Sequence, residues 1–417
     1  MPRLHVTGGN PLGGTVKISG AKNAAVAIIP AALLTEAPVR IENLPDIQDI
    51  QALVEILQYL GVKVVWETPT TLFIDASTLS KWQAPYELVK KLRASYYLIG
   101  ALLGRFGRAY VPVPGGCDLG PRPIDQHIKG FVAMGANVEV EHGLIKVVAN
   151  KLMGTEIYLD VVSVGATINI MLAAVRASGK TIIENAAKEP EIVDVANFLN
   201  AMGAKIRGAG TDVIKITGVQ ELGSATHCVI PDRIEAGTYM IAAAATMGNV
   251  AIQGVIPKHL EPITAKLREM GMAVDVADDQ LHVVGTSNAQ PVDIKTFPYP
   301  GFPTDMQSLA MVLLTQATGS SVITENVFEG RFKHVDELKR MGARIKVEGR
   351  TAIIDGRTRL SGAPVKATDL RAGAAFIIAG LIAEGETVIS EVDHIYRGYE
   401  NVCEKLTALG AVIKQIG

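Results

Sequence analysis

The chain has 417 residues, enough for two or three domains of ordinary size. Forty Lys and Arg stand against 42 Asp and Glu, a formal net charge of −2, which excludes an acidic disordered chain and lends no support to a broad nucleic-acid surface. Apolar residues make up 48% but aromatics only 5%, so small aliphatic side chains must fill the interior.

From the amino terminus, MPRLHVTGGNPLGG offers no apolar signal core behind a basic start, and residues 1–20 read as a strand ahead of the first helix. A pattern then recurs along the rest of the chain. Helices of small apolar residues begin near Lys22, Arg93, Ser163, Arg233, Asp305 and Asp369, at separations of 71, 70, 70, 72 and 64 residues. In phase with them, amphipathic helices end in Leu-Gly or Met-Gly at Gly61, Gly135, Gly203, Gly271, Gly342 and Gly410. Glycine just past a helix end takes a left-handed conformation without side-chain strain and turns the chain into the next strand. The first series is apolar on nearly every side and is expected to be buried, whereas helices such as EIVDVANFLNAMG should cover the outside. Each unit reads as strand, buried helix, strand, amphipathic helix, strand, with an extra strand where space allows.

Six such units exceed one core, so two groups of three are expected. We assign 21–229 as an inserted domain and 1–20 plus 230–417 as a discontinuous one. The long uncharged stretches at 237–257 and 306–324 are each interrupted by turn residues and read as helix, turn and strand. A soluble protein is expected, with no membrane segment.

Chemistry gathers at the starts of the buried helices: Lys22 and Asn23, Arg93, Ser163, Arg233 and Glu235, Asp305, Asp369 and Arg371. Parallel helices would bring their free N–H groups and positive dipole ends to one face, suited to an anion. Ordinary capping accounts for any one of these residues alone; 304–307 and 232–235 both have capping-box spacing. The loop PVPGGCDLGPRP at 112–123 sets Cys117 on a segment barred from regular structure, near Arg122. Asp118 beside it would raise the thiol pKa. An inert surface thiol is the competing reading. Cys228 and Cys403 sit in apolar or helical contexts and read as structural. Three widely spaced cysteines give no disulfide framework and point to a reducing cytoplasm. No metal-ligand spacing, P-loop or dinucleotide fingerprint is present, so no metal and no cofactor are expected.

The repeat, with SGAKNAA at 19–25, LRASYY at 92–97, PGGCDLGPRPIDQH at 114–127, FPTDMQ at 302–307, ENVFEGRF at 325–332, KATDLRAG at 366–373 and HIYRGYE at 394–400, resembles the enolpyruvyl transferases of cell-wall synthesis. The resemblance spans essentially the whole chain. It implies an α/β fold of two inverted, barrel-like domains, each of three βαβαββ-like repeats, closing over a cleft. It also implies transfer of the enolpyruvyl group of phosphoenolpyruvate to the 3′-hydroxyl of UDP-N-acetylglucosamine with release of phosphate, the first committed step of peptidoglycan synthesis. A role in cell-wall biogenesis, cell shape and division would follow, with sensitivity to fosfomycin. No cofactor, nucleic acid, membrane or obligate protein partner is implied.

By the same resemblance Cys117 is the proton donor and site of a covalent adduct, Asp305 the base, and Lys22, Arg122 and Arg397 hold the donor. Arg331, Asp369 and Arg371 lie around it. Asn23, Arg93, Arg122, Pro123, Ile124, Asp125, Gln126, Ser163, Val164, Gly165, Asp305 and Val327 would hold the nucleotide sugar. The shikimate-pathway enolpyruvyl transferases share the repeat but lack the PGGCDLGPRPID loop. A silent, regulatory relative would have lost Cys117, Asp305, Lys22 or Arg397, and all four are present.

Overall fold

The computed structural model describes residues 2–90, 92–113 and 123–417. The six apolar helices form where the pattern places them: Lys22–Ala31, Tyr97–Phe106 after the 3-10 turn Arg93–Tyr96, Val164–Ala174, Arg233–Ala245, Gln307–Leu314 after the turn Thr304–Met306, and Leu370–Ile382. Burial follows their composition. Every residue from Leu370 to Leu381 is buried, Arg371 included. The amphipathic helices differ as expected: Gln48–Tyr59 buries Ile50, Leu53, Val54, Ile56 and Leu57 and exposes Gln51, Glu55 and Gln58.

All six amphipathic helices end in the same hydrogen-bond motif. The glycines have φ between +89° and +104°. At each one the glycine N–H returns to the carbonyl three residues back and the following N–H to the carbonyl five back. In the third repeat Gly203 reaches Asn200 at 2.9 Å and Ala204 reaches Leu199 at 3.0 Å. Two orphan carbonyls are thereby satisfied at every turn into a strand.

Among the described residues five sheets have four strands and one has three. In the plain repeats a first strand lies parallel to the second, and an antiparallel hairpin follows on the far side, as in Ile294–Lys295, Ser321–Thr324, Thr351–Ile354 and Ile345–Glu348 in spatial order. The extra strand is therefore a regular part of the repeat. The three-stranded sheet, Arg108–Pro112, Leu144–Val148 and Asn137–Glu141, retains only a parallel bridge from Gln83 to Tyr110 in the first place.

The amino terminus departs from the single strand expected. Arg3–Thr7 inserts antiparallel between Glu386–Ser390 and Val412–Ile416, completing the last repeat. Gly13–Lys17 runs parallel to Asn249–Gln253, although it precedes the helix Lys22–Ala31 in sequence. Reciprocally, Ala225–Cys228 precedes the helix Arg233–Ala245 but pairs with Val39–Glu42. The strands ahead of these two helices are exchanged.

The described residues up to Ser19 and from Pro231 onward form one compact unit, and those from Gly20 to Ile230 the other. Each has its own apolar core. In the first unit Asp232 N–H donates to the Ser19 carbonyl at 2.9 Å; in the second Ala21 N–H donates to the Ile230 carbonyl at 2.7 Å. A Cβ at Gly20 would lie 1.7 Å from the Asn43 carbonyl oxygen, so only glycine fits there. Among the described residues no helix is long and apolar enough to cross a membrane.

Candidate active site

In the unit that contains the carboxyl terminus, three helix starts converge. Asp305 lies in the turn Thr304–Met306, whose N-cap position is Pro303, without a side-chain cap bond. One carboxylate oxygen stands 2.7 Å from Arg331 Nη2, the other 3.1 Å from Arg371 Nη2. Both arginine side chains are buried, at 4% and 5% exposure, while Asp305 keeps 27%. Burial alone would raise the Asp305 pKa, but Arg371, Arg331 and Arg233 outweigh it and hold the carboxyl far below the usual range. Capping is thus the wrong account of 304–307. It is right at Asp232, which accepts from the Ile234 and Glu235 N–H groups at 2.7 and 3.0 Å.

Behind this triad lies Glu325, fully buried. One of its oxygens accepts from Thr296 Oγ1 and the Val327 N–H, both at 2.8 Å, and the other from Thr304 Oγ1 at 2.9 Å. Arg331 Nη1 donates to the same Thr304 hydroxyl at 2.9 Å, so Val327, Thr304 and Arg331 are fixed by one carboxylate. Asp369 caps the helix Leu370–Ile382 through the Arg371 and Ala372 N–H groups, at 2.8 and 3.0 Å. Arg371 Nη1 is buried with no hydrogen-bond partner among the described residues. A buried, unmatched guanidinium donor is a place for an anion to bind. Arg397 is half-buried and directly follows the short helix Asp393–Tyr396.

The other unit places Lys22 at the first position of its helix, with Nζ 2.7 Å from the buried Asp49 carboxylate. Asn23 follows, half-buried. Ser163 caps Val164–Ala174, its hydroxyl accepting from Ala166 N–H at 3.2 Å. A Cβ on Gly165 would come 2.8 Å from the Tyr96 hydroxyl and 3.1 Å from His127, so glycine lets these side chains reach the helix start. Arg93 lies 6.0 Å from the Tyr96 ring centre. Burial lowers its pKa, opposed by Tyr96, and a guanidinium remains charged regardless.

Asn169 Nδ2 donates to the Tyr96 carbonyl at 2.9 Å and lies 3.0 Å from His127 Nδ1. That nitrogen must then accept, leaving the proton on Nε2. Burial, helped by Arg93 and opposed by Asp125, lowers the His127 pKa to about 4, so the ring is neutral at pH 7. Gln126 is buried and bridges to Asp160, donating to its carboxylate at 3.2 Å and accepting from its N–H at 2.9 Å. Pro123 and Asp125 are exposed, and Ile124 packs partly against the core.

Cys117, Asp118 and Arg122 lie outside the described residues. Cys228, read from sequence as structural, is exposed at the end of Ala225–Cys228. The polar partners Asp49, Glu325, His127, Asn169 and Tyr96 were not singled out by sequence reasoning. Tyr96, His127 and Glu325 lie within the motifs at 92–97, 114–127 and 325–332, the signal that could have found them, whereas Asp49 and Asn169 lie in none. Among the described residues no group of three or more His, Cys, Asp or Glu could hold a metal ion.

The sequence model of the EPSP synthase (3-phosphoshikimate 1-carboxyvinyltransferase) family matches residues 6–406. Over 413 residues, 99% of this chain and 96% of the relative, the sequence is 60% identical to UDP-N-acetylglucosamine 1-carboxyvinyltransferase 2 of Geobacillus kaustophilus. It is also 60% identical to UDP-N-acetylglucosamine 1-carboxyvinyltransferase of Clostridium botulinum, covering 100% of both chains. The crystal structure of the enolpyruvyl transferase NikO from Streptomyces tendae superposes with a TM-score of 0.90 at 29% identity, over 99% of this chain and 98% of that one. An EPSP synthase from Acinetobacter baumannii gives a TM-score of 0.77 over 100% of both chains at 19% identity, a likeness of fold alone.

Proposed function

Because the chain belongs to the EPSP synthase family of enolpyruvyl transferases, we propose that it moves the enolpyruvyl group of phosphoenolpyruvate to the 3′-hydroxyl of UDP-N-acetylglucosamine. Phosphate is released, and the product commits the sugar to peptidoglycan. One observation carries this choice of acceptor: 60% identity across the full chain to relatives named for that reaction. The shared fold alone fits several acceptors equally well.

The residues fit an addition followed by an elimination. The Cys117 thiol gives its proton to C3 of the enol, leaving a cationic C2 that the sugar oxygen attacks while Asp305 takes the hydroxyl proton. The intermediate then returns a proton from C3 to the Cys117 thiolate as the C2–O bond to phosphate breaks, restoring the double bond on the transferred group, and phosphate leaves with the proton that Asp305 had taken. Lys22, Arg122 and Arg397 hold the donor, whose negative charge calls for several cations. Asp305 paired with two guanidiniums is a weak base. An anionic donor that draws on Arg371 and Arg331 returns basicity to it, so proton removal is favoured once the donor is bound. Asn23, Arg93, the run from Arg122 to Gln126, Ser163 to Gly165 and Val327 hold the nucleotide sugar, and His127 Nε2–H adds a neutral donor beside Gly165. The reaction needs no metal, nucleic acid, membrane or protein partner, and is assigned to the cytoplasm.

Phosphate release from phosphoenolpyruvate with UDP-N-acetylglucosamine, set against shikimate 3-phosphate, tests the acceptor. Turnover is expected with the first only, and turnover with the second alone overturns the reading. Fosfomycin, an epoxide with a phosphonate, should label Cys117 and no other cysteine, and Cys117→Ser should abolish the label. Label on Cys228 or Cys403 in peptide mapping would count against Cys117.

A further inference from the structure

The motif around Arg397 continues through Tyr399 and Glu400, which the chemistry above leaves unused. Both are anchored. The Tyr399 hydroxyl lies 2.8 Å from Thr238 Oγ1, and its ring centre lies 5.4 Å from the Arg371 guanidinium. The Glu400 carboxylate accepts a hydrogen bond from the Ser19 hydroxyl. That hydroxyl in turn accepts from Lys405 Nζ at 2.6 Å. Lys405 Nζ also donates to Glu235 Oε1 at 2.6 Å, and Glu235 Oε2 accepts from the Ser19 backbone N–H at 2.8 Å. Ser19, Lys405 and Glu235 thus close a ring, with Glu400 attached through Ser19.

The ring is expensive to build from surface residues. Glu235 and Lys405 side chains are 4% and 18% exposed. Burial lifts the Glu235 pKa to about 7 against the pull of Lys405, so without the ammonium this carboxyl would be protonated at neutral pH. Only the ionised form accepts from Lys405 and Ser19 together. Glu400 lies three residues after Arg397, Glu235 two after Arg233, and Ser19 is the last residue of this unit before the chain runs on to Lys22.

We propose that Lys405 is a positioning residue that fixes Arg397 for the donor, acting through Ser19 and Glu400. The proposal rests on the function assigned above. Lys405 touches neither substrate in this scheme; it holds the backbone that carries Arg397.

Phosphate-release kinetics on Lys405→Met and Lys405→Arg test it, with folding checked by circular dichroism. Lys405→Met should raise KM for phosphoenolpyruvate roughly tenfold or more while KM for UDP-N-acetylglucosamine stays within about threefold, and Lys405→Arg should recover most of the loss. Ser19→Ala keeps the backbone bond to Glu235 but loses both hydroxyl contacts, and should show the same split if Lys405→Met does not fold. An unchanged donor KM in a folded variant, or both KM values rising together, overturns the proposal. If the wild-type protein releases no phosphate from this pair, the functional reading is what fails. Hydrogen exchange without substrate then decides the positioning role: a peptide covering 395–401 should exchange faster in Lys405→Met than in Lys405→Arg, and equal exchange rejects it.

Discussion

A carboxylate between two buried guanidiniums supports the fold and the chemistry in opposite ways. Paired, Asp305 neutralises Arg331 and Arg371; as a base, it works best when they are turned elsewhere. Asp305→Asn keeps the shape and removes the charge. Turnover should fall by about two to four decades, the usual range for a general base. Stability should drop by about 1–3 kcal/mol, below the cost of breaking a fully buried pair because Asp305 is partly exposed. Added inorganic phosphate should raise the melting temperature of the variant more than that of the wild type, since the anion meets two guanidiniums whose charge is no longer neutralised in Asp305→Asn. A variant with near-normal turnover, or no differential response to phosphate, refutes this account. At this scale the sequence displays Asp305 and Arg371 as charges at helix starts, but not what they meet. Asp305 finds Arg371 66 residues away and Ser19 finds Glu400 381 residues away. No local spacing encodes such pairs.

Elements were more legible than contacts because each repeat carries its own punctuation. A glycine that must be left-handed and a helix apolar on every side are local facts, and six copies reinforce each other. The strand exchange was not legible. Gly13–Lys17 and Ala225–Cys228 each precede a buried helix by a similar distance, and neither sequence states which sheet will accept it. Two glycines separate conformational need from steric need. Gly203 has φ of +104° with no described atom within 4 Å of the place a methyl group would take, so Gly203→Ala should cost about 1–2 kcal/mol of left-handed strain. Gly20 has no positive φ, but a Cβ there would press against the Asn43 carbonyl at 1.7 Å, so the backbone must move. Gly20→Ala should lower the urea midpoint well beyond Gly203→Ala. Equal losses would mean that the segment around Asn43 yields freely and that the close approach is not structurally required.

For the whole molecule, buried titrating groups set how stability changes with pH. Burial pushes His127 down from 6.5 to about 4, and His334 downward as well, against the pull of Asp369. A histidine with a lowered folded pKa contributes stability above its unfolded pKa, which is lost as pH falls from about 6.5 through 4. Glu235 has the opposite sign. Its pKa rises from 4.5 to about 7, so its contribution is present below 4.5 and lost as pH climbs through 7. Two histidines against one glutamate leave a net loss on acidification, and Asp305, lowered by its arginines, adds to that loss only below about pH 4. The urea midpoint should therefore fall between pH 7.5 and pH 4.5. In His127→Asn the Oδ1 atom can stand in for Nδ1 toward Asn169, while nothing titrates, so the fall should shrink by roughly the equivalent of two pKa units, about 3 kcal/mol at most. A pH profile in His127→Asn that parallels the wild type would place the acid sensitivity elsewhere, and a midpoint that rises toward pH 4.5 would show Glu235 outweighing both histidines.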